Sequence, residues 1–297
     1  MQDVSIILVN YKTKDLAKDC IKSIYEKTDG LNFDIWLVDN NSDDGVKEML
    51  DQNFPQVKFI QSGNNNGFGS ANNVALRVVE SKYVLLLNTD TLLKNNAIKI
   101  MFDFMEQDNT LGACGANLYD QDGKNIHSYG VFPTLKDFIL KTFFLRYLFL
   151  KNEKRLKDKG LNTENDTKEV DYITGADVMI RKSVLDEVGI FNEKFFMYFE
   201  ESELQYRIRQ AGYKIFINPE AQIIHLHDKS PKKRERMYYE FLKSKYLYLK
   251  LCFGTKENIR FIKQLMYIAN CTKIFTHYKA IKNLFSYIHN DKYEEEI

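Results

Sequence analysis

"YVLLLNTDT", residues 83–91, is the stretch on which the reading of the chain turns. Tyr83 to Leu87 form an unbroken apolar run, suited to a strand covered on both faces, and it halts at Asn88-Thr89-Asp90. A carboxylate at the mouth of a buried strand is either a turn-former or a group held there for chemistry. Working outward, "VSIILV" (4–9), "IWLV" (35–38) and "VKFI" (57–60) are further strand-like runs. Helical patterns separate them. Thr13 is placed to N-cap a helix with Leu16, Cys20, Ile21 and Ile24 on one stripe, and Ser42 to open a short helix ending near "NFP". "GFGSANNVALRVV" (67–79) reads as a glycine-rich turn running into a helix, and Asn95 or Asn96 caps "AIKIMFDFMEQ". This alternation predicts the α/β class: a doubly wound, mainly parallel sheet. Ligands of such sheets gather beyond the carboxyl ends of the strands. "NY" (10–11), "DNNSDD" (39–44) and "NTD" (88–90) should therefore line one edge.

The totals bound the rest. Hydrophobic residues make up 44% and charged residues 28% of 297, enough apolar material for a full core. A net charge of +1 gives no reason to expect nucleic acid as partner. The charge is uneven, however: residues 231–297 hold 14 lysines and arginines against 7 acids. A basic, aromatic-rich tail of helical character suits an anionic surface such as a membrane, or else core packing or an oligomer contact. Cys20, Cys114, Cys252 and Cys271 are widely spaced, which argues against a zinc site or disulfide framework and fits a reducing compartment. Met1 leads directly into the first strand, so no leader is expected. No apolar run reaches the roughly 20 residues of a membrane span. "FILKTFFLRYLFL" (138–150) is broken by Lys141 and Arg146 and reads as an interfacial or lid helix. The charged segment after it reads as a loop near the substrate site, and order returns with "DYITGADVMIRKSVLDEVGIF".

Taken in order, "VSIILVNYKTKDLAKDCIKSI", "WLVDNNSDD", "GNNNGFGSANN", "LLLNTDT", "TGADVMIRKSVLDEVGIFNEKFFMYFEESELQYRIRQAGY" and "IIHLHDKS" resemble glycosyltransferase family 2. The likeness is closest to its rhamnosyltransferase-like branch and covers roughly residues 3–230. It implies a GT-A fold over 1–230, with a nucleotide-binding half (1–116), an acceptor-side half (117–230) and a C-terminal helical extension (231–297). It also implies a nucleotide-diphosphate sugar as donor, dTDP-L-rhamnose or alternatively a UDP-sugar. The acceptor would be a lipid-linked or other saccharide for a cell-surface polysaccharide, met in the cytoplasm at the inner face of the membrane.

Site residues follow from the same resemblance. Asp39 matches the carboxylate that accepts a hydrogen bond from the pyrimidine, with Asn10 and Tyr11 framing the base. Asn66, Gly67, Phe68 and Asn73 would help hold the nucleotide sugar, as would Gly175 and Ala176. "NTD" matches a variant of the Asp-x-Asp motif with Asn88 in the first acidic position, so that Asp90 supplies the direct anionic ligand to Mn²⁺ or Mg²⁺. His225 matches a metal-binding histidine, and His227 would point to the same side of a strand. In "YFEESEL", Glu201 aligns with the general base, standing where aspartate is usual, and Glu200 is the alternative. Two adjacent carboxylates tend to raise one pKa. Glu203 lies four residues before Arg207, the spacing of an intrahelical ion pair. Two other classes compete. A sugar-nucleotide nucleotidyltransferase would carry a basic glycine-rich loop after strand one, where this chain has "NYKTKDL". A non-catalytic nucleotide-sugar-binding module would have no need of Glu201.

Overall fold

The computed structural model describes residues 2–142, 160–226, 234–255, 258–271 and 277–291. Three parallel strands open the chain: β1 (Gln2–Asn10), β2 (Phe33–Asp39) and β3 (Lys58–Gln61). The helices between them are α1 (Lys14–Lys27) and α2 (Val46–Asn53). After α3 (Phe68–Leu76), β4 (Ser81–Asn88) adds in parallel to the other side of β1. Alternation divides β1 between two cores: Val4, Ile6 and Leu8 face one cluster, while Ile7 faces the other. The short β5 (Thr91–Leu93) and α4 (Ala97–Glu106) lead into β6 (Leu111–Tyr119), which is buried along its whole length.

Beyond β6 the sheet departs from a parallel winding. β10 (Asp177–Arg181) enters antiparallel between β4 and β6, and all five of its residues are buried. β11 (Lys214–His225) then runs parallel to β6 and antiparallel to β5. The order among the described residues is β3-β2-β1-β4-β10-β6-β11-β5. The expected α/β sheet is present, mixed and mostly parallel. β7 (Tyr129–Gly130) pairs antiparallel with β9 (Tyr172–Ile173), and residues 143–159 of the intervening charged stretch lie outside the described residues. β8 (Lys168–Glu169) joins the edge of β11.

At two expected helix starts the capping side chain is engaged elsewhere, and one of the starts is displaced. Ser42 does not open α2, which begins after Gly45 (φ 77°), because its backbone N–H and hydroxyl both donate to Asp39. Thr13 does sit at the N-cap of α1, but its hydroxyl donates to Asn10 Oδ1 (2.9 Å) instead of capping. Ala17 takes the buried place expected of Leu16.

The later helices are α5 (Leu135–Thr142), α6 (Lys182–Val188), α7 (Glu200–Gln210), α8 (Arg234–Phe253), α9 (Ile259–Cys271) and α10 (Tyr278–Asn290). The last three form a third core of their own around Tyr246, Leu247, Ile262, Met266, Ile281 and Leu284. Phe138 and Phe195 are part of that core, so the start of the 138–150 stretch packs inward. Residues 143–150 lie outside the described residues, as do 227–233, where the expected boundary before the C-terminal extension falls. No helix among the described residues is long and apolar enough to cross a membrane.

Candidate active site

Register places the polar strand ends side by side. Asn10 pairs with Asp39 across β1 and β2, and Val9 pairs with Asn88 across β1 and β4. Asp39 is buried, with both oxygens occupied. Oδ1 accepts from Asn10 Nδ2 (2.8 Å) and from the Ser42 hydroxyl; Oδ2 accepts from Ser42 N (3.1 Å) and Gln61 Nε2 (3.0 Å). Burial opposes its ionisation, yet the donors from Ser42, Asn10 and Gln61 outweigh it and hold its pKa below the usual carboxylate value. The residue sits in a cleft of about 620 Å³ that Tyr11, Lys12, Gln61 and Gly63 also line. Asn10, fully buried behind Asp39, also donates to Asp44 at 3.2 Å.

The Thr13 hydroxyl lies 2.9 Å from that of Thr89 and links this cleft to the end of β4. There a second cleft opens, of about 500 Å³, lined by Asn88, His225, Gly175, Ala176, Phe68, Glu200 and Glu201 among others. The end of β4 is joined there to the residue before β10, Asn88 N donating to Ala176 O (2.9 Å). Asp90 and His225 meet through the β5–β11 register, in which Thr91 faces His225. His225 Nε2 lies 3.2 Å from Asp90 Oδ1, and both side chains are largely covered. His227 lies outside the described residues.

The carboxylates come from the first turn of α7. Tyr198 and Phe199, just before it, have φ of 72° and 66°, a left-handed conformation costing bulky residues about 1–3 kcal/mol each. Glu200 is 5% exposed and its Oε2 has no hydrogen-bond partner. Burial, and then the charge of Glu201, push its carboxyl well above the ordinary range. Glu201 is less enclosed; burial raises its pKa too, against hydrogen bonds from its own backbone and from Ser202, whose hydroxyl donates to Oε1 (3.2 Å). The Tyr172 hydroxyl is pushed up to about 12 by burial and by Glu201. Gly175 leaves room beside Glu201: a Cβ there would stand 3.7 Å from its Cγ. Two clamps hold the helix. Gln205 exchanges a pair of 2.8 Å bonds with the backbone of Ile173, and Glu203 binds Arg207 through both oxygens at 2.8 and 2.9 Å. Arg207 in turn reaches the carbonyls of Val188, Gly189 and Ile190.

The glycine-rich loop packs against the turn that precedes α7. Gly67 (φ 99°) lies close to the backbone of the 196–199 turn, where an added Cβ would stand 2.0 Å from Phe196 O. Phe68 N donates to that same oxygen (3.1 Å), so the start of α3 spends its first N–H on the protein. Asn73 is fully buried: its amide donates to Phe191 O and Glu193 Oε1 (2.9 Å each) and accepts from Phe191 N (3.0 Å), so it fastens the loop that follows α6. Asn66 is exposed on the segment that runs from one cleft to the other. Among the residues lining the second cleft, His127, Tyr172, Tyr198 and Phe241 had no place in the sequence reading. They arrive through long-range packing, Phe241 from α8.

A glycosyl transferase family 2 model matches residues 5–189, more than half of the chain. The chain belongs to glycosyl transferase family 2. The family match ends before α7 and β11, so the carboxylate pair and His225 stand on geometry. Among curated relatives of this family 2 chain, the low-salt glycan biosynthesis hexosyltransferase Agl10 of Haloferax volcanii is 27% identical over 219 residues, 72% of this chain but only 64% of its own length. Rhamnosyltransferase WbbL of Escherichia coli K12 is 27% identical over 256 residues, 83% of this chain and 92% of its own. A mannosyltransferase from Pyrobaculum calidifontis, solved with GDP-mannose and Mn²⁺, shares the GT-A-like fold at a TM-score of 0.55 and 14% identity, covering 98% of this chain and 78% of that one.

Proposed function

We propose that this chain is an inverting, metal-dependent sugar transferase that moves L-rhamnose from dTDP-L-rhamnose onto a saccharide acceptor. The carrying observation is that one cleft is lined by Asn88, His225 and Glu201, with Asp90 held against His225. Rhamnose as the donor sugar is supported by the likeness to WbbL, and a UDP-sugar is the second reading. In this reading Asp39, Asn10 and Tyr11 seat the base. Asp39 has already gathered its donors, so a pyrimidine N–H meets a carboxylate that stays ionised. Gly175, Ala176, Asn88 and Phe68 border the sugar diphosphate.

Asp90 and His225 would hold the divalent cation. Their oxygen and nitrogen are 3.2 Å apart, near enough for the pair to be offered to one ion. Among the described residues no cluster of three or more His, Cys, Asp and Glu that could hold a metal ion occurs, so Asp90 and His225 are the two protein groups offered. An oxygen–imidazole pair suits Mn²⁺, and Mg²⁺ is the alternative. When bound, the cation neutralises charge on the departing diphosphate. Glu201, ionised, takes the acceptor's hydroxyl proton while that oxygen forms its bond to the anomeric carbon and the bond to the diphosphate breaks on the opposite face. Ser202 orients the carboxylate. Burial, and then the charge of Glu201, hold the Glu200 carboxyl well above its ordinary value, so its ionised form is the less available to serve as the base.

A lipid-linked acceptor at the cytoplasmic face of the membrane fits the basic tail and the exposed Phe261, Ile268 and Tyr278 of α9 and α10. The function is tested by incubating the full chain with labelled dTDP-L-rhamnose and UDP-sugars, Mn²⁺ and lipid-linked saccharides. Transfer with inverted configuration is expected. Donor binding without transfer across the panel would favour a binding module, and release of pyrophosphate from a nucleoside triphosphate and a sugar phosphate would favour a nucleotidyltransferase.

A further inference from the structure

The rim of the second cleft is completed by a part of the chain that the family match does not reach. Phe241 lines it from α8, and Tyr198 lines it from the turn before Glu200. Their rings meet edge to face, 5.7 Å between centroids, and are 38% and 37% exposed. Large rings scattered singly over a surface need no explanation, but two side by side at the mouth of a cleft mark a binding wall.

The backbone there is set with care. The left-handed Tyr198 and Phe199 are over-determined by their neighbours. Ser244 Oγ, also from α8, donates to Met197 O (2.8 Å), and the Phe199 ring packs on Phe241 at 5.6 Å and Tyr248 at 5.4 Å. Strain of this kind persists where surroundings enforce it, and it clusters at ligand clamps. Next to the turn stands Glu200, nineteen-twentieths buried, lining the same cleft with an oxygen that no group among the described residues satisfies. A buried polar atom without a partner calls for one.

A pyranose ring matches this combination. It presents an apolar face of C–H groups, which aromatic rings attract, and a rim of hydroxyls that hydrogen-bond. Building on the transfer reading above, we propose that Tyr198, Phe241 and Glu200 form the subsite for the acceptor sugar, the rings covering its C–H face and the Glu200 carboxyl group hydrogen-bonding one of its hydroxyls. The subsite adjoins Glu201, where the acceptor's reacting hydroxyl must be. It makes α8 part of acceptor recognition, and Glu200 a positioning residue with a separate task from Glu201.

Saturation-transfer NMR on the full chain tests this, with the methyl pyranosides of rhamnose, glucose, galactose and N-acetylglucosamine as probes, in the presence of UDP or dTDP and Mn²⁺. At least one glycoside should be saturated on its C–H face by the wild type. Phe241→Ala and Tyr198→Ala should each lower that signal about five- to tenfold, while Phe241→Trp keeps it. Glu200→Gln should retain binding, since an amide still donates, and Glu200→Ala should lose it. The thermal shift produced by the nucleotide should be the same in all variants, which separates a lost subsite from a lost fold. Glycoside signals indifferent to every one of these changes, or absent from the wild type with all four probes, would overturn the subsite. A wild type that binds no nucleotide would overturn the transfer reading instead.

Discussion

Around Asp39, both carboxylate oxygens are met by donors from Asn10, Ser42 and Gln61, and the pKa falls. Around Glu200, one oxygen has no partner, the preceding backbone is left-handed at two bulky residues, and the pKa rises. An unsatisfied buried polar group costs about 1–3 kcal/mol, so the second arrangement is the expensive one. The difference suggests a division of labour. A region whose polar groups are already matched is pre-organised for a partner of fixed chemistry, as a nucleotide base is. A region with unmet groups and open rings awaits a ligand to complete it, and there the specificity of a given family member would reside.

The comparison is sharpened most by Glu201→Gln. Transfer should fall about 10²- to 10⁴-fold in kcat, the range for loss of a general base, with nucleotide affinity unchanged. A variant as active as the wild type would remove Glu201 from the chemistry. Next, Asp90→Ala or His225→Ala should abolish the tightening of nucleotide binding by Mn²⁺ in calorimetry and lower kcat about 10²-fold or more, whereas metal dependence that survives both changes would place the cation elsewhere. Gly67→Ala should lower stability in urea by about 2 kcal/mol or more, since its Cβ would collide with Phe196 O and its φ of 99° disfavours any side chain. An unchanged midpoint would mean that the loop does not buttress the turn.

The smallest effect is on pH dependence. Glu200 binds its proton more tightly folded than unfolded, so its contribution to stability is complete below the ordinary carboxylate value of 4.5 and is lost as pH rises through its elevated folded value. Glu200→Gln should flatten that decline, as read from urea midpoints between acid and neutral pH. Parallel profiles would show that Glu200 is ionised like a surface acid, against the contrast drawn with Asp39.

How much of this was legible follows from the range of the interactions. The apolar runs of β1 to β4 and their polar ends are local patterns, and the register confirms that Asn10, Asp39 and Asn88 share an edge. Glu203–Arg207 was legible for the same reason. The role of Gly67 was not, because the partner that needs its missing side chain, Phe196, is far along the chain. Asn73 likewise bonds a residue 118 positions away. The antiparallel entry of β10 left no local mark either: a short buried run has the same pattern in both directions. Phe241 belongs to a helix whose aromatic residues read alike as core, contact surface or site, and only the packing of α8 against the 196–199 turn separates it from the rest.

A crystal structure of the full chain with a nucleotide sugar and Mn²⁺ tests the central claim most directly. The base should lie against Asp39, the cation should be bonded to Asp90 and His225, and the anomeric carbon should lie between the diphosphate and the side of the cleft where Glu201 stands. A donor bound away from these residues, or a sugar whose anomeric carbon is turned from Glu201, would contradict it.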